Sequence, residues 1–276
     1  MAIDVNGATV AITGAARGIG RATAQTLVRH GATVVIGDLD EVTVHLAAAE
    51  LGEHVHGHVL DVTRADSFAQ FLDAAATHGP LDVLINNAGI WRVGDFLDQS
   101  LTDVQQEIAV NLGGTVTGTA LALPGMVARD RGHIINVSSL AGKMTLPGAA
   151  GYGASKSGVA ALGRTIRAEL PTRNVRVSTI YPATVATALQ TGISLAKQQV
   201  IYPEDVAEAI LRCIKGRSDE IVVPRTHAAL ALAETLVPAR PFDALKRKLT
   251  LDTLKSIDHG ARGEYYADRS APRAGQ

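Results

Sequence analysis

The stretch Thr13-Gly14-Ala15-Ala16-Arg17-Gly18-Ile19-Gly20 joins an apolar run at residues 8–12 to a helical pattern that begins at Gly18. Glycine permits a tight turn and lets the backbone come close to a ligand. The first turn of a helix presents free N–H groups and the positive end of its dipole, and both favour an anion. This order of elements therefore predicts a site for the pyrophosphate of a dinucleotide, formed by Gly14, Arg17, Gly18, Ile19 and Gly20.

Short apolar runs alternate with longer helical patterns along the rest of the chain. The predicted strands are residues 8–12, 33–37, 54–60, 83–86, 133–137, 175–180 and 220–223. The predicted helices are residues 18–30, 42–51, 67–78, 101–127, 153–170 and 206–214. Apolar strands joined through helices are typical of a parallel sheet covered on both faces. Right-handed crossovers then predict a Rossmann-type, doubly wound α/β fold with three α/β/α layers and a seven-stranded sheet.

The end of the chain is predicted to lie outside this sheet. We expect residues 1–224 to form a single dinucleotide-binding catalytic domain and residues 225–276 to form a helical C-terminal extension. Helical patterns cover residues 228–236 and 242–254, with Pro238 and Pro241 between them. The final residues, ADRSAPRAGQ, are polar or small, so we expect that end to be disordered.

Composition narrows the class of protein. Of the 276 residues 46% are hydrophobic, enough for one large core, and the net charge is −1. Such a balance gives no indication of nucleic acid or an anionic membrane as partner. No apolar run approaches the roughly 18–20 residues that cross a bilayer, and the first residues lack the pattern of a signal peptide. Cys213 is the single cysteine, so no internal disulfide forms and we expect a cytoplasmic protein.

Asp38 ends the second predicted strand and bears on the choice of cofactor. At that position a carboxylate accepts hydrogen bonds from both hydroxyls of an adenosine ribose and repels a 2′-phosphate. Leu39 follows, where a phosphate-binding site favours Arg or Lys. These residues predict NAD, whereas Arg17, which is long enough to reach a 2′-phosphate, is the main argument for NADP. Asp38 also suits the N-cap of the next helix, a role that Asp40 fits equally well.

The glycine pattern T-G-x-x-x-G-I-G resembles that of the short-chain dehydrogenase/reductase family. Further motifs follow in the family's order: Asp61-Val62, Asn86-Asn87-Ala88-Gly89, Ser138-Ser139, Tyr152-Gly153-Ala154-Ser155-Lys156 and Tyr181-Pro182. The resemblance covers residue 7 to about residue 224 and implies an oxidoreductase that uses NAD or NADP. Two features depart from it. Ala183 replaces a usual glycine, which crowds the nicotinamide side slightly, and the longer tail has a role that the resemblance does not supply.

Tyr152 and Lys156 are the candidate catalytic pair. Hydride transfer from an alcohol carbon needs a base for the hydroxyl proton, and a tyrosine, with its usual pKa of about 10, is mostly protonated at neutral pH. Lys156 follows one helical turn after Tyr152, and its ammonium charge favours the phenolate. The chain has 5 tyrosines, and only Tyr152 is followed by a lysine at this spacing.

The resemblance implies two further catalytic residues. Ser139 holds the substrate oxygen beside Tyr152; Ser138 is the alternative, because the pleat of a strand points only one of the pair into the site. Asn111 binds a water that passes protons to Lys156. Its other interpretation is a polar residue that faces solvent.

The resemblance also implies the rest of the cofactor site. Lys156 binds the nicotinamide ribose as well as acting on Tyr152. Asp61 and Val62 hold the adenine ring. The remaining cofactor contacts are Asn87, Ala88, Gly89, Pro182, Val185 and Thr187, of which Val185 and Thr187 hold the carboxamide.

The substrate pocket is expected at the carboxyl ends of the strands. Its candidate lining is largely apolar: Trp91, Val93, Leu140, Leu146, Pro147, Tyr181 and the segment 184–199. These residues predict a hydrophobic secondary alcohol or ketone of medium size, such as a steroid-like one, although Trp91 and Leu146 also suit core packing. The alternatives are an NADPH-dependent carbonyl or 3-oxoacyl reductase, a non-catalytic dinucleotide sensor, and a membrane-surface protein with a basic helix at residues 240–255.

Three histidines, His54, His56 and His58, alternate along the third predicted strand. They are compatible with a zinc site, or with a solvated sheet edge that discourages pairing with another strand. The proposed chemistry needs no metal, and we expect none. Residues 101–127 and 153–170 carry many small side chains. In the resembling family these two helices pair across subunits, so we expect a homo-tetramer or a homo-dimer.

Overall fold

The computed structural model describes residues 2–170, 174–193, 199–216, 218–229, 257–258 and 260–263. Its strands are β1 (Thr9–Thr13), β2 (Thr33–Asp38), β3 (Val55–Val59), β4 (Leu81–Asn86), β5 (Gly132–Val137), β6 (Val175–Pro182) and β7 (Glu220–Val223). Its α-helices are α1 (Gly18–Arg29), α2 (Glu41–Leu51), α3 (Ala65–Ala76), α4 (Leu101–Ile108), α5 (Gly114–Ala128), α6 (Ala150–Glu169) and α7 (Pro203–Lys215). The predicted strands are all present, with ends that shift by a residue or two.

The strands form one parallel sheet in the order β3-β2-β1-β4-β5-β6-β7. The order reverses at β1, and in such sheets ligands bind beyond the carboxyl ends of the strands at that reversal. Side chains alternate between the faces, so Val10 and Ile12 pack in one core cluster and Ala11 packs in the other. The predicted doubly wound fold with three layers is confirmed.

Helix α2 shows which aspartate acts as an N-cap. The Asp40 carboxylate accepts a hydrogen bond from the backbone N–H of Thr43, with an oxygen-to-nitrogen distance of 3.0 Å. Such a bond satisfies one of the free donors at a helix start. The alternative interpretation of Asp38 as the cap is therefore wrong, and its carboxylate remains at the end of β2.

The predicted single α-helix at residues 101–127 is interrupted. Helix α4 runs into a five-residue π-helix, Ala109–Gly113, before α5 begins at Gly114. A π turn accommodates one extra residue and is common at functional sites, but it leaves no mark on hydrophobic periodicity. Asn111 lies in this π turn and is turned inward by it.

Strand β3 lies at the edge of the sheet, as expected. The His56 ring stacks on the ring of His78, with 3.8 Å between centroids. Among the described residues, no group of three or more His, Cys, Asp or Glu side chains is placed to hold a metal ion. No helix in the same ranges is long and apolar enough to cross a membrane. The predicted tail helices, apart from residues 228–229, and the predicted disordered end lie outside the described residues.

Candidate active site

A cavity of about 510 Å³ opens at the carboxyl ends of the central strands. Its volume lies in the range of small-molecule sites. Of the predicted site residues, those that line it are Ile19, Asn87, Gly89, Ser139, Tyr152, Lys156, Pro182, Val185 and Thr187. Gly14, Arg17, Gly18, Gly20, Asp38, Leu39, Asp61, Val62, Ala88 and Asn111 are not among the lining residues. Four residues of this second group, Asp38, Leu39, Asp61 and Val62, lie at the ends of β2 and β3, where an extended dinucleotide would continue.

The glycine-rich turn depends on glycine at two positions. Gly14 and Gly18 have φ angles of +63° and +57°, which side chains rarely adopt. A Cβ on Gly14 would lie 2.7 Å from the Cα of Ala88. The Asn87 side-chain amide donates to the carbonyl oxygens of Thr13 and Gly14, each at 2.9 Å, and so ties β4 to the turn. With no acidic side chain in the first turn of α1, the site suits a pyrophosphate.

Asp38 lies directly beside this turn. Its carboxylate accepts hydrogen bonds from the backbone N–H of Ala16 at 3.1 Å and of Leu39 at 2.9 Å. Arg17 approaches the carboxylate of Asp40, with 3.6 Å between nitrogen and oxygen. An acidic pair therefore lies at the end of β2, and part of the Arg17 charge is directed toward it.

Two predicted adenine-site residues follow β3. The Asp61 carboxylate accepts from the backbone N–H and the hydroxyl of Thr63, at 2.9 and 2.6 Å. Val62 is buried against α5, where a Cβ added to Gly114 would lie 2.8 Å from the Val62 Cβ. Asp61 thus caps the turn after β3, and the Val62 side chain belongs to the core under it.

Tyr152 and Lys156 share one face of α6, and both are buried at the cavity. The Lys156 Nζ lies 5.8 Å from the centroid of the Tyr152 ring and donates to the carbonyl oxygen of Val137 at 2.9 Å. Burial lowers the pKa of Lys156 to about 8, because an ammonium loses hydration there. At neutral pH most of this lysine still carries its charge, at 5.8 Å from the centre of the tyrosine ring.

The two serines after β5 point differently. The Ser138 hydroxyl is buried and donates to the backbone carbonyl of Lys156 at 2.8 Å, so it anchors α6 to the sheet. The Ser139 hydroxyl accepts from the backbone N–H of Ala141 at 3.2 Å and lies on the cavity wall. Both serines line the cavity, but the Ser138 hydroxyl donates its proton to a backbone carbonyl, so Ser139 is the better placed of the two to meet a substrate.

Asn111 is 0% exposed, so its interpretation as a solvent-facing residue is wrong. Its side-chain oxygen accepts from the backbone N–H of Ile90 at 2.8 Å, and its amide nitrogen donates to the Ile90 carbonyl and the Ser155 hydroxyl, both at 3.0 Å. A Cβ placed on Gly89 would lie 3.2 Å from both the Asn111 Oδ1 and the Lys156 Nζ. The two polar groups thus converge beside Gly89.

The substrate side of the cavity is apolar, with one exception to the predicted lining. Trp91, Val93, Leu140, Leu146 and Pro147 line it together with the described part of the segment 184–199. The remaining predicted residue, Tyr181, does not line it and is fully buried, with the Lys143 Nζ 4.1 Å above its ring. The prediction for Tyr181 is wrong, because its ring is buried beneath Lys143 and is not part of the cavity wall.

The residues that follow β6 close the side of the cavity where the nicotinamide of a bound cofactor is predicted to lie. Ala183 lines the cavity, and its N–H donates to the Val223 carbonyl at 2.8 Å. Val185 is held by a bridge to Ile201. The Thr187 methyl group lies 3.4 Å from the position of a Cβ on Gly18, so this segment faces the glycine-rich turn.

Sequence patterns did not reveal the buried carboxyl of Glu107. It accepts a very short hydrogen bond from the backbone N–H of Arg92, and a Cβ added to Gly151, next to Tyr152, would meet it at 2.3 Å. Burial raises the pKa of Glu107 to about 7, and Asp103 adds to this, whereas the Arg92 N–H and the charges of Arg92 and Arg262 oppose it. A single inward-facing carboxylate on a short helix differs little from a surface one in sequence.

The variant Glu107→Gln is expected to change how stability depends on pH. The unfolded carboxyl loses its proton near pH 4.5 and the folded one near pH 7, so the wild type loses stability relative to the variant across this interval. The expected loss is about 3 kcal/mol. Thermal unfolding of both proteins from pH 4.5 to 8 measures it, with the exposed Glu53→Gln as control. Parallel curves for wild type and Glu107→Gln would contradict the assignment.

Comparison with known proteins gives consistent results. A family model described as short chain dehydrogenase matches residues 8–198. A probable oxidoreductase, EphD, of Mycobacterium tuberculosis is 34% identical over 83% of this chain, which spans 39% of that protein's length. A 3-oxoacyl-[acyl-carrier-protein] reductase, FabG, of Thermotoga maritima is 35% identical to this chain. The match covers 75% of this chain and 90% of the length of the reductase. The crystal structure of a Burkholderia phymatum short-chain dehydrogenase/reductase in complex with NAD superposes with a TM-score of 0.76, at 26% identity, and covers 83% of this chain and 93% of that one.

Proposed function

Since this chain belongs to the short-chain dehydrogenase family, we propose that it is an oxidoreductase of CH–OH and carbonyl groups that uses NAD to interconvert a hydrophobic secondary alcohol and its ketone. The observation that carries the proposal is the buried pair of Tyr152 and Lys156 on the wall of an apolar cavity beside a glycine-rich turn. On an exposed helix, a tyrosine and a lysine at this spacing would not by themselves indicate a catalytic pair.

Each residue of the site has a role in moving one proton. When bound, NAD supplies the acceptor for the hydride that leaves the alcohol carbon. Ser139 holds the substrate oxygen, and the Tyr152 phenolate takes the hydroxyl proton during oxidation or returns it during ketone reduction. The Lys156 charge, anchored on the Val137 carbonyl, favours the phenolate. Asn111 holds Ile90 and Gly89 in place and supports proton exchange with Lys156 through water.

The first experiment is a titration of NADH and NADPH, separately, into the purified protein. Trp91 is the single tryptophan and lines the cavity, so energy transfer from it to a reduced nicotinamide reports binding. Tighter binding of NADH supports the proposal. Tighter binding of NADPH would favour the second candidate, an NADPH-dependent carbonyl or 3-oxoacyl reductase, which is supported by the name of the FabG relative and by the presence of Arg17 on the glycine-rich turn.

The variant Asp38→Ala is expected to lose most of the preference for NADH over NADPH. The carboxylate repels a 2′-phosphate by about 1 kcal/mol in water and about 4 kcal/mol in a partly desolvated site, so we expect a change of about 10-fold or more. The ratio of kcat/KM values for the two cofactors measures it. Exposed Glu41→Ala, which removes a nearby carboxylate from α2, is the control. An unchanged ratio in Asp38→Ala would contradict this role.

The substrate follows from the apolar cavity wall formed by residues such as Trp91, Leu140 and Leu146. Burial of apolar surface stabilises binding in proportion to its area, so bulky ketones should have lower KM values than small ones. A panel that runs from cyclohexanone to steroid ketones tests this. Activity confined to small charged hydroxy acids would contradict it.

The expected assembly is a homo-tetramer or a homo-dimer. In the isolated chain, Leu101, Ile108, Val116 and Leu121 expose their side chains along α4 and α5. Interfaces between identical subunits are apolar, and an unpaired charge buried there costs several kcal/mol. Light scattering should show a multiple of the 28.8 kDa chain mass, and Leu121→Glu should lower it. A wild-type monomer would contradict the assembly.

Two further assignments belong to this proposal. Residues 1–224 form the catalytic domain, and residues 225–276 form an extension to it. The location is cytoplasmic, since the single cysteine, Cys213, is a buried free thiol and suits a reducing compartment.

A further inference from the structure

Part of the C-terminal segment returns to the substrate side of the cavity. Ile257 lines the cavity, and the N–H of Asp258 donates to the Gly192 carbonyl at 2.9 Å. A short helical turn follows, in which the Arg262 N–H donates to the Asp258 carbonyl at 3.0 Å. These contacts dock residues 257–263, as far as they are described, on the loop after β6.

Arg262 makes the central contact of this docking. It is 2% exposed, and its guanidinium donates to three backbone carbonyls: Leu189 at 2.7 Å, Thr191 at 3.1 Å and Trp91 at 2.5 Å. Burial of an arginine is costly unless its fork of donors is satisfied, and the planar fork suits several acceptors at once. Arg262 therefore joins the loop after β6 to the loop after β4.

The peptide bond between Trp91 and Arg92 is held from both sides. Its carbonyl oxygen accepts from Arg262, and its N–H donates to the buried carboxylate of Glu107. The Trp91 ring lies 5.9 Å from the guanidinium carbon of Arg262 and 5.4 Å, centroid to centroid, from the ring of Tyr152. A shift of this peptide would thus move the indole relative to Tyr152.

We infer that Arg262 is a positioning residue for the substrate pocket: together with Glu107 it holds Trp91 against Tyr152 and so sets the width of the cavity for bulky apolar substrates. The part that concerns substrates rests on the proposed function. The contact between Arg262 and Trp91 does not, since it is a hydrogen bond that ties the C-terminal segment to the loop after β4.

The emission of Trp91 tests the contact without any substrate, because Trp91 is the only tryptophan in the chain. In Arg262→Gln we expect emission shifted to longer wavelength and stronger quenching by acrylamide than in the wild type, in which Trp91 is 8% exposed. Arg262→Lys keeps the charge but loses the planar fork of donors. Its Trp91 emission and quenching should therefore lie between those of Arg262→Gln and those of the wild type. Exposed Arg29→Gln, on α1, is the matched control. Emission and quenching of Arg262→Gln equal to those of the wild type would overturn the inference.

Kinetics test the specificity. Arg262→Gln is expected to lower kcat/KM for a steroid ketone by about 10-fold to 100-fold, chiefly through KM, with a smaller loss for cyclohexanone and an unchanged Kd for NADH. In a Trp91→Ala background the same substitution should have little further effect, since the indole is no longer there to be positioned. An equal loss for both ketones, or full additivity with Trp91→Ala, would overturn the inference.

The two tests separate the possible failures. If the wild type reduces no ketone but Arg262→Gln changes Trp91 emission, the proposed substrate class fails and the positioning contact stands. If Arg262→Gln does not fold, both measurements are made on Arg262→Lys. Trp91 emission equal to that of the wild type, together with an unchanged ratio of kcat/KM values for the two ketones, would then overturn the inference.

Discussion

Replacement of Tyr152 by Phe is expected to lower kcat for ketone reduction by about 10³-fold, since general acid–base catalysis by a positioned side chain contributes about 10²-fold to 10⁴-fold. The variant removes only the hydroxyl that exchanges the proton. The ring and its packing at 5.4 Å from Trp91 remain, so the Kd for NADH, read from Trp91, should be almost unchanged. Steady-state rates and the NADH titration together measure the effect.

Tyr202→Phe is the matched control, since it removes the same hydroxyl from a tyrosine that is 64% exposed on the surface. It should retain the wild-type rate. If Tyr152→Phe also retained it, Tyr152 would not be the acid/base, and the proton would have to be exchanged with another group. If Tyr152→Phe lost NADH binding as well, its role would be structural.

Replacement of Lys156 by Met is expected to lower kcat by a similar factor, about 10²-fold to 10⁴-fold, but with weaker binding of NADH. Under the proposed function, the ammonium is the charge that favours the Tyr152 phenolate and also binds the nicotinamide ribose. A methionine of similar length fills the buried space without charge. A loss of NADH affinity in Lys156→Met but not in Tyr152→Phe would separate the roles of the two residues.

The stability of Lys156→Met distinguishes lost chemistry from lost folding. The folded lysine releases its proton near pH 8 and the unfolded one near pH 10.5, so wild-type stability should rise relative to the variant between these values. Below pH 8 the variant should be no less stable than the wild type, because it avoids burial of a charge. Lys215→Met, at the exposed end of α7, serves as control, and unfolding of Lys156→Met at neutral pH would contradict the expectation.

The buried groups around Trp91 show how the chemistry is supported by parts of the chain far apart in sequence. Glu107 belongs to α4, Arg262 to the C-terminal segment, and they meet at the peptide bond after Trp91. A buried side chain that hydrogen-bonds to a backbone group holds that backbone in one place more firmly than apolar contact does. We therefore expect variants at these positions to alter KM more than kcat.

Local patterns in the sequence were sufficient for the fold and for the motif residues. Alternating apolar strands and helices predict a parallel sheet, and the order of elements then determines which loops meet at its carboxyl edge. The turn at Gly14 and the spacing of Tyr152 and Lys156 are short-range features, so they are readable without coordinates. Asp38 and Asp40 were equivalent as caps in the sequence, and the Asp40 contact with Thr43 decided between them.

Other features depended on contacts between distant residues, which hydrophobic periodicity does not encode. The π turn that brings Asn111 inward, the hydrogen bond that holds the Ser138 hydroxyl on the Lys156 carbonyl and the burial of Tyr181 each follow from packing against another element. Arg262 is 171 residues from its partner Trp91 and looks like any basic residue of a polar tail. Only the folded chain removes its charge from water and gives it three carbonyls, and for that reason only the tertiary structure shows that the end of the chain shapes the substrate site.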